Sequence, residues 1–170
     1  GTVYQQVRET GNFKADNQFL MDVDALTKGQ KLLAKEFPQL ADEKILDLSS
    51  ALTMSPAHRA LAQKMPGVDP AKFKLGRPEF SGETLIELTK TVREKATAAF
   101  KAGDTGLGRF YRGVSDAVED MMERNVAATK PDLLNAFKKA RETIAKTYTA
   151  EAALEDVTGN VSSRILGNQF

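Results

Sequence analysis

Four carboxylates crowd one stretch of the chain: Asp116, Glu119, Asp120 and Glu123. Glu119 and Glu123 are four residues apart, which places them on one face of a helix. Paired carboxylates can hold a divalent cation or move protons for a substrate. Neither task is completed by what surrounds them. A di-metal site in a helical bundle takes Glu-x-x-His pairs from facing helices, and the only histidine, His58, lies far off in the chain. His58 and Arg59 have no cysteine and no Gly-x-Ser-x-Gly elbow to supply a nucleophile. The carboxylates therefore read as a solvated helix face near Arg112 and Arg124, with no catalytic residue, no metal ligand and no cofactor assigned.

Three other clusters could carry function. Gly103-Asp104-Thr105-Gly106-Leu107-Gly108 is glycine-rich, but a phosphate loop needs a preceding strand and usually a following lysine-serine or lysine-threonine pair, so it reads as a turn between helices. Phe110-Tyr111 and Met121-Met122 fall on one helix, where aromatics and methionines serve as core or as an adaptable partner surface. Tyr111 and Met122 are the members expected to face outward to a partner. Lys138, Lys139, Arg141 and Lys146 form a basic set able to meet nucleic acid, interrupted by Glu142 and Glu151.

These residues need helices to position them, and the sequence supplies helices almost throughout. Asp16 is placed to cap a helix with Phe19, Val23, Leu26, Leu33 and Phe37 on one face, Gln30 in the gap, Gly29 marking close packing or a break, and Pro38 as its stop. Asp42 caps a second helix, and Ser55-Pro56 opens a third. Residues 66–82 carry Pro66, Gly67, Pro70, Gly76 and Pro78 and read as a linker or surface-wrapping loop. Beyond it, Ser81 opens the first arm of a long antiparallel hairpin over about 83–127, turned at Gly103-Asp104. A further helix is expected over about 131–148, where Leu133, Phe137, Ala140, Ile144 and Tyr148 share a face. A last element begins near Thr149 and breaks at Gly159. No stretch alternates as a strand must. The expected fold is an all-α helical bundle in three parts: an N-terminal helical segment 1–65, the connection 66–82 and a C-terminal hairpin or bundle 83–170.

Composition narrows function further. Of 170 residues, 28% are charged and 41% hydrophobic, with 24 Lys and Arg against 23 Asp and Glu. A duplex-binding protein usually carries a basic excess, so nucleic acid is a disfavoured partner. Nothing approaches the roughly 18 apolar residues of a membrane span, and no leading segment resembles a signal peptide. The absence of cysteine removes disulfides and zinc–thiolate sites. The chain begins with Gly1 rather than Met, which reads as a processed or excised chain.

The run Ala140-Arg141-Glu142-Thr143-Ile144-Ala145-Lys146-Thr147-Tyr148, followed by an alanine-rich stretch and Thr158-Gly159-Asn160-Val161-Ser162, resembles a segment of uncharacterised structural proteins of tailed bacteriophages and prophages. Glu123-Arg124 and the opening Gly11-Asn12-Phe13 fit the same pattern. The resemblance implies a virion or assembly role, with other virion proteins or further copies of the chain as partners, in the virion or in the host cytoplasm during assembly. It implies no catalytic residue. Thr10-Gly11-Asn12-Phe13 also echoes Thr158-Gly159-Asn160-Val161, which reads as shared turn chemistry. Two functions follow: a non-enzymatic phage structural or assembly protein acting through helix faces, or a nucleic-acid-associated helical module travelling with packaged or ejected phage DNA.

Overall fold

The structure, a computed structural model, describes residues 3–9 and 11–146. In chain order its elements are α1 (Val3–Arg8), β1 (Asn12–Lys14), α2 (Asn17–Glu36), α3 (Glu43–Thr53), α4 (Pro56–Lys64), β2 (Glu79–Ser81), α5 (Gly82–Lys101), α6 (Thr105–Thr129) and α7, helical over 134–146. The fold is an all-α bundle carrying one very small antiparallel ribbon.

Helix starts fall where capping side chains stand. The Asp16 carboxylate accepts from the Phe19 N–H at 2.8 Å, Ser55 Oγ from His58 at 3.1 Å, Ser81 Oγ from Thr84 at 3.1 Å and Asp104 from Leu107 at 3.2 Å. Each satisfies an N–H that the first turn cannot. Helix α2 runs unbroken through Gly29 and stops at Phe37, whose φ of −139° and ψ of 72° leave the helical region before Pro38. Gly103, at φ +81°, turns the chain between α5 and α6, a conformation that costs glycine nothing. The long hairpin thus forms as expected.

Helix α6 is the central element. It packs on α5 and on α2, and α1 in turn lies against α5. One continuous core joins Val7, Phe13, Phe19, Val23, Leu85, Val92, Val114, Val118, Met121 and Phe137, so the N-terminal segment and the C-terminal hairpin are not separately cored. Thr27, rather than Phe37, completes the inner face of α2. Its hydroxyl donates to the Val23 carbonyl at 3.0 Å and accepts from Ser49 Oγ of α3 at 3.2 Å, while Phe37 is 51% exposed.

Residues 66–82 wrap the surface rather than separate two bodies. Ser55 Oγ donates to the Leu75 carbonyl at 2.7 Å, and the Ala15 N–H donates to the Pro78 carbonyl at 2.9 Å. The segment ends as β2, which pairs with β1 in the register Asn12↔Ser81, Phe13↔Phe80 and Lys14↔Glu79. This ribbon corrects the strand-free reading: three residues are too few to show alternation. Beside it, Arg124 of α6 grips Asp16 through Nε at 2.7 Å and Nη2 at 2.8 Å. The Arg124 hydrogen bonds hold the Asp16 carboxyl below its ordinary range, against the opposing effect of burial.

Gly82, the first residue of α5, lies where α1 crosses. A Cβ at Gly82 would lie 2.4 Å from the Val7 carbonyl oxygen, a backbone atom that cannot turn away. Gly82→Ala should therefore lower unfolding stability by about 1–3 kcal/mol, as overpacking does. Chemical denaturation of the variant tests this, and an unchanged midpoint would mean that α1 does not dock as described. The expected helix over about 131–148 is present from 134, after a 3-10 turn at Pro131–Leu133. Its last residues including Tyr148, the element expected from Thr149, and the Thr10 and Thr158–Val161 parts of the echo lie outside the described residues.

Candidate functional site

Glu119 lies on the broad apolar stripe of α6, between Ser115 one turn before and Met122 one turn after, and is 2% exposed. A carboxylate so placed must find cations. Arg93 of α5 donates to its Oε1 from Nη2, and Arg141 of α7 brings Nε to 2.8 Å from Oε2. The second contact is an ion pair without hydrogen-bond geometry, so Oε2 has charge compensation but no hydrogen-bond donor among the described residues. Burial pushes the Glu119 carboxyl above its ordinary range even though both arginines pull it down.

Arg141 also reaches Asp120 Oδ1 at 2.7 Å and Glu123 Oε2 at 3.1 Å. The guanidinium stands among three carboxylates where a divalent cation would have to sit, and it fastens α7 to α6. The acidic patch is only in part the solvated face expected of it: Asp116 is exposed and Asp120 partly so, whereas Glu119 is interior and Arg141 of α7 reaches over it. Among the described residues no three His, Asp or Glu side chains are arranged to hold a metal ion.

Next to this ion cluster is a cavity of about 330 Å³, contributed by α1, α5, α6 and α7. Ile86, Met122 and Ile144 supply apolar wall. Tyr4, Arg93 and Glu119 supply its polar part, and the exposed Arg8 and Lys90 also line it. The Tyr4 hydroxyl is buried with no hydrogen-bond partner among the described residues. Burial, reinforced by the Glu119 charge, pushes its pKa up to about 12, so it remains a proton donor throughout the ordinary pH range. Arg8 is engaged by Glu87 at 3.3 Å, and the Thr89 hydroxyl donates to the Leu85 carbonyl at 2.8 Å.

The residues singled out from sequence are dispersed by the fold. Tyr111 is 6% and Met122 1% exposed, which agrees with the core reading of this cluster and corrects the alternative of a partner surface with these two facing outward. Helix α6 is covered on two sides, by α5 and by α2, so its buried stripe is wider than one facing helix would require. Tyr111 packs on the Phe110 ring at 5.6 Å, while Met122 lines the cavity. Lys138, Lys139 and Lys146 are exposed on α7, but Arg141 is turned inward onto the carboxylates and leaves the basic set. His58 is half-buried on α4, and Gly103–Gly108 is the hairpin turn with the first turn of α6.

Sequence spacing missed Tyr4 and Arg93, because their relation to Glu119 exists only once α1 and α5 have packed. Glu119 itself left a signal: it interrupts the widened stripe of Val118, Met122 and Val126 rather than lying opposite it. No described helix is long and apolar enough to cross a membrane. Compared with known proteins, the chain matches no protein-family model, no curated protein and no solved structure.

Proposed function

We propose that the chain is a non-enzymatic structural or assembly protein of a tailed phage or prophage, acting through helix faces on other virion proteins or on copies of itself. Besides the resemblance of its C-terminal segment, the outer face of α2 supports this reading. Met21 and Leu32 are 65% and 63% exposed, with Ala25 and Gly29 exposed between them. At 100° per residue the four positions fall within about 80° of one another. Phe37 and Leu40, just beyond the helix, are exposed as well. Large apolar side chains grouped in this way mark contact surfaces, and small residues between them let a second helix approach closely.

Gly29 makes the reading testable. A Cβ there meets nothing within 4 Å of its own chain, so Gly29→Ala should stabilise the isolated chain by up to about 1 kcal/mol through helix propensity and a restricted unfolded state. The same methyl should weaken association through this face, and Leu32→Glu should abolish it without lowering the melting temperature. Light scattering behind size-exclusion chromatography at two protein concentrations, with capture of virion proteins from a phage lysate, reads both effects. A monomer at both concentrations that captures no virion component would overturn the proposal.

A further inference from the structure

We infer that the cavity shared by α1, α5, α6 and α7 is a binding site for a small amphipathic carboxylate, whose apolar body lies on Ile86, Met122 and Ile144 and whose head group meets Tyr4 and Lys90. This rests on different residues from the α2 face and stands independently of it.

The volume of about 330 Å³ is at the lower end of the range for small-molecule sites, which are mostly apolar with a few placed polar groups. What the polar groups lack defines the occupant. The Tyr4 hydroxyl is a buried donor without an acceptor among the described residues, so it can donate to an acceptor that enters the cavity. Lys90 lines the same cavity and has no ionic partner among the described residues. Arg8 and Arg93 add positive charge, whereas the single carboxylate, Glu119, is held by two arginines. Glu119 Oε2 also lacks a hydrogen-bond donor among the described residues, but its charge is already balanced by Arg93 and Arg141, so a cationic ligand would add a charge with no counter-ion among the lining residues. A neutral hydrocarbon would leave the Tyr4 hydroxyl unsatisfied. An acid with an apolar tail satisfies Tyr4 as an acceptor, Lys90 as a counter-ion and the three hydrophobic side chains together.

Octanoate is the probe, titrated into the full chain by isothermal calorimetry and followed by thermal unfolding, with 1-octanol as the uncharged control. Saturable one-to-one binding is expected, with a melting temperature that climbs with octanoate concentration, because a ligand binding only the folded state stabilises it. Tyr4→Phe and Lys90→Gln should each weaken octanoate about tenfold, the effect of one charge-assisted hydrogen bond. Neither should lower the melting temperature of the unliganded chain, since each removes a group without a partner. Ile86→Trp, which fills the apolar part, should remove binding. Absence of saturable heat would overturn the inference. So would octanol binding as tightly as octanoate, or octanoate binding that survives Tyr4→Phe and Lys90→Gln but is lost in Leu32→Glu, which would place it on the α2 face.

Discussion

Shortening Phe137 to alanine is expected to lower the unfolding free energy by about 3–5 kcal/mol, the usual cost of removing a buried phenylalanine ring. Phe137 is fully buried and faces the Tyr4 ring at 5.8 Å with a 55° tilt. It is the deepest residue of α7 and joins that helix to α1 as well as to the core. Ile144→Ala, at a half-buried position on the cavity wall, should cost distinctly less. Urea denaturation of the two variants checks the order. A Phe137→Ala loss below about 1 kcal/mol would mean that α7 is not held against the bundle.

Replacing Arg93 by methionine should be nearly as damaging at neutral pH, and the damage should depend on pH. The substitution leaves Glu119 buried with Arg141 alone, and breaking a buried ion pair from one side costs about 3–5 kcal/mol. Glu119 already titrates above its ordinary range because burial outweighs its arginines, and the loss of Arg93 moves it further the same way. A carboxyl with a higher pKa folded than unfolded contributes fully below its unfolded pKa, and that contribution is lost as pH rises through the folded value. The deficit of Arg93→Met relative to the parent chain should therefore shrink on acidification from about pH 8 to about pH 4.5. Comparing variant with parent at each pH removes the opposite trend of Asp16, whose lowered pKa makes its contribution fade as pH falls. In the Arg93→Met/Glu119→Leu double variant most of the loss should return and the pH dependence should vanish. A deficit that does not change with pH would assign Arg93 to packing by its alkyl stem instead.

The helices were legible because their signals are local. Asp16, Asp42, Ser55 and Ser81 each cap the helix that the chain pattern begins there, and Gly103-Asp104 turns the hairpin, with Asp104 also capping α6. What the sequence hid is tertiary. Glu119, Asp120 and Glu123 have the same spacing whether they face water or an arginine, and the arginines lie on α5 and α7. Spacing alone leaves Tyr111 and Met122 open to either a core or a partner surface, and the choice is made by packing, since α6 has both α5 and α2 against it. The ribbon left no trace because its two strands are short and come from opposite sides of α2, α3 and α4. The cavity was wholly invisible: its walls come from α1, α5, α6 and α7, and no single stretch of chain contains them.

The Tyr4–Phe137 contact has a consequence for how the molecule loosens. Terminal helices ordinarily fray independently, each with its own small opening free energy. Here the first and the last described helices touch each other and share the face of α5 and α6, so opening either one strips contacts from the other. The two ends of the described chain are therefore expected to open as one unit. Hydrogen exchange should accordingly show the amides around residue 4 and around residue 137 opening together.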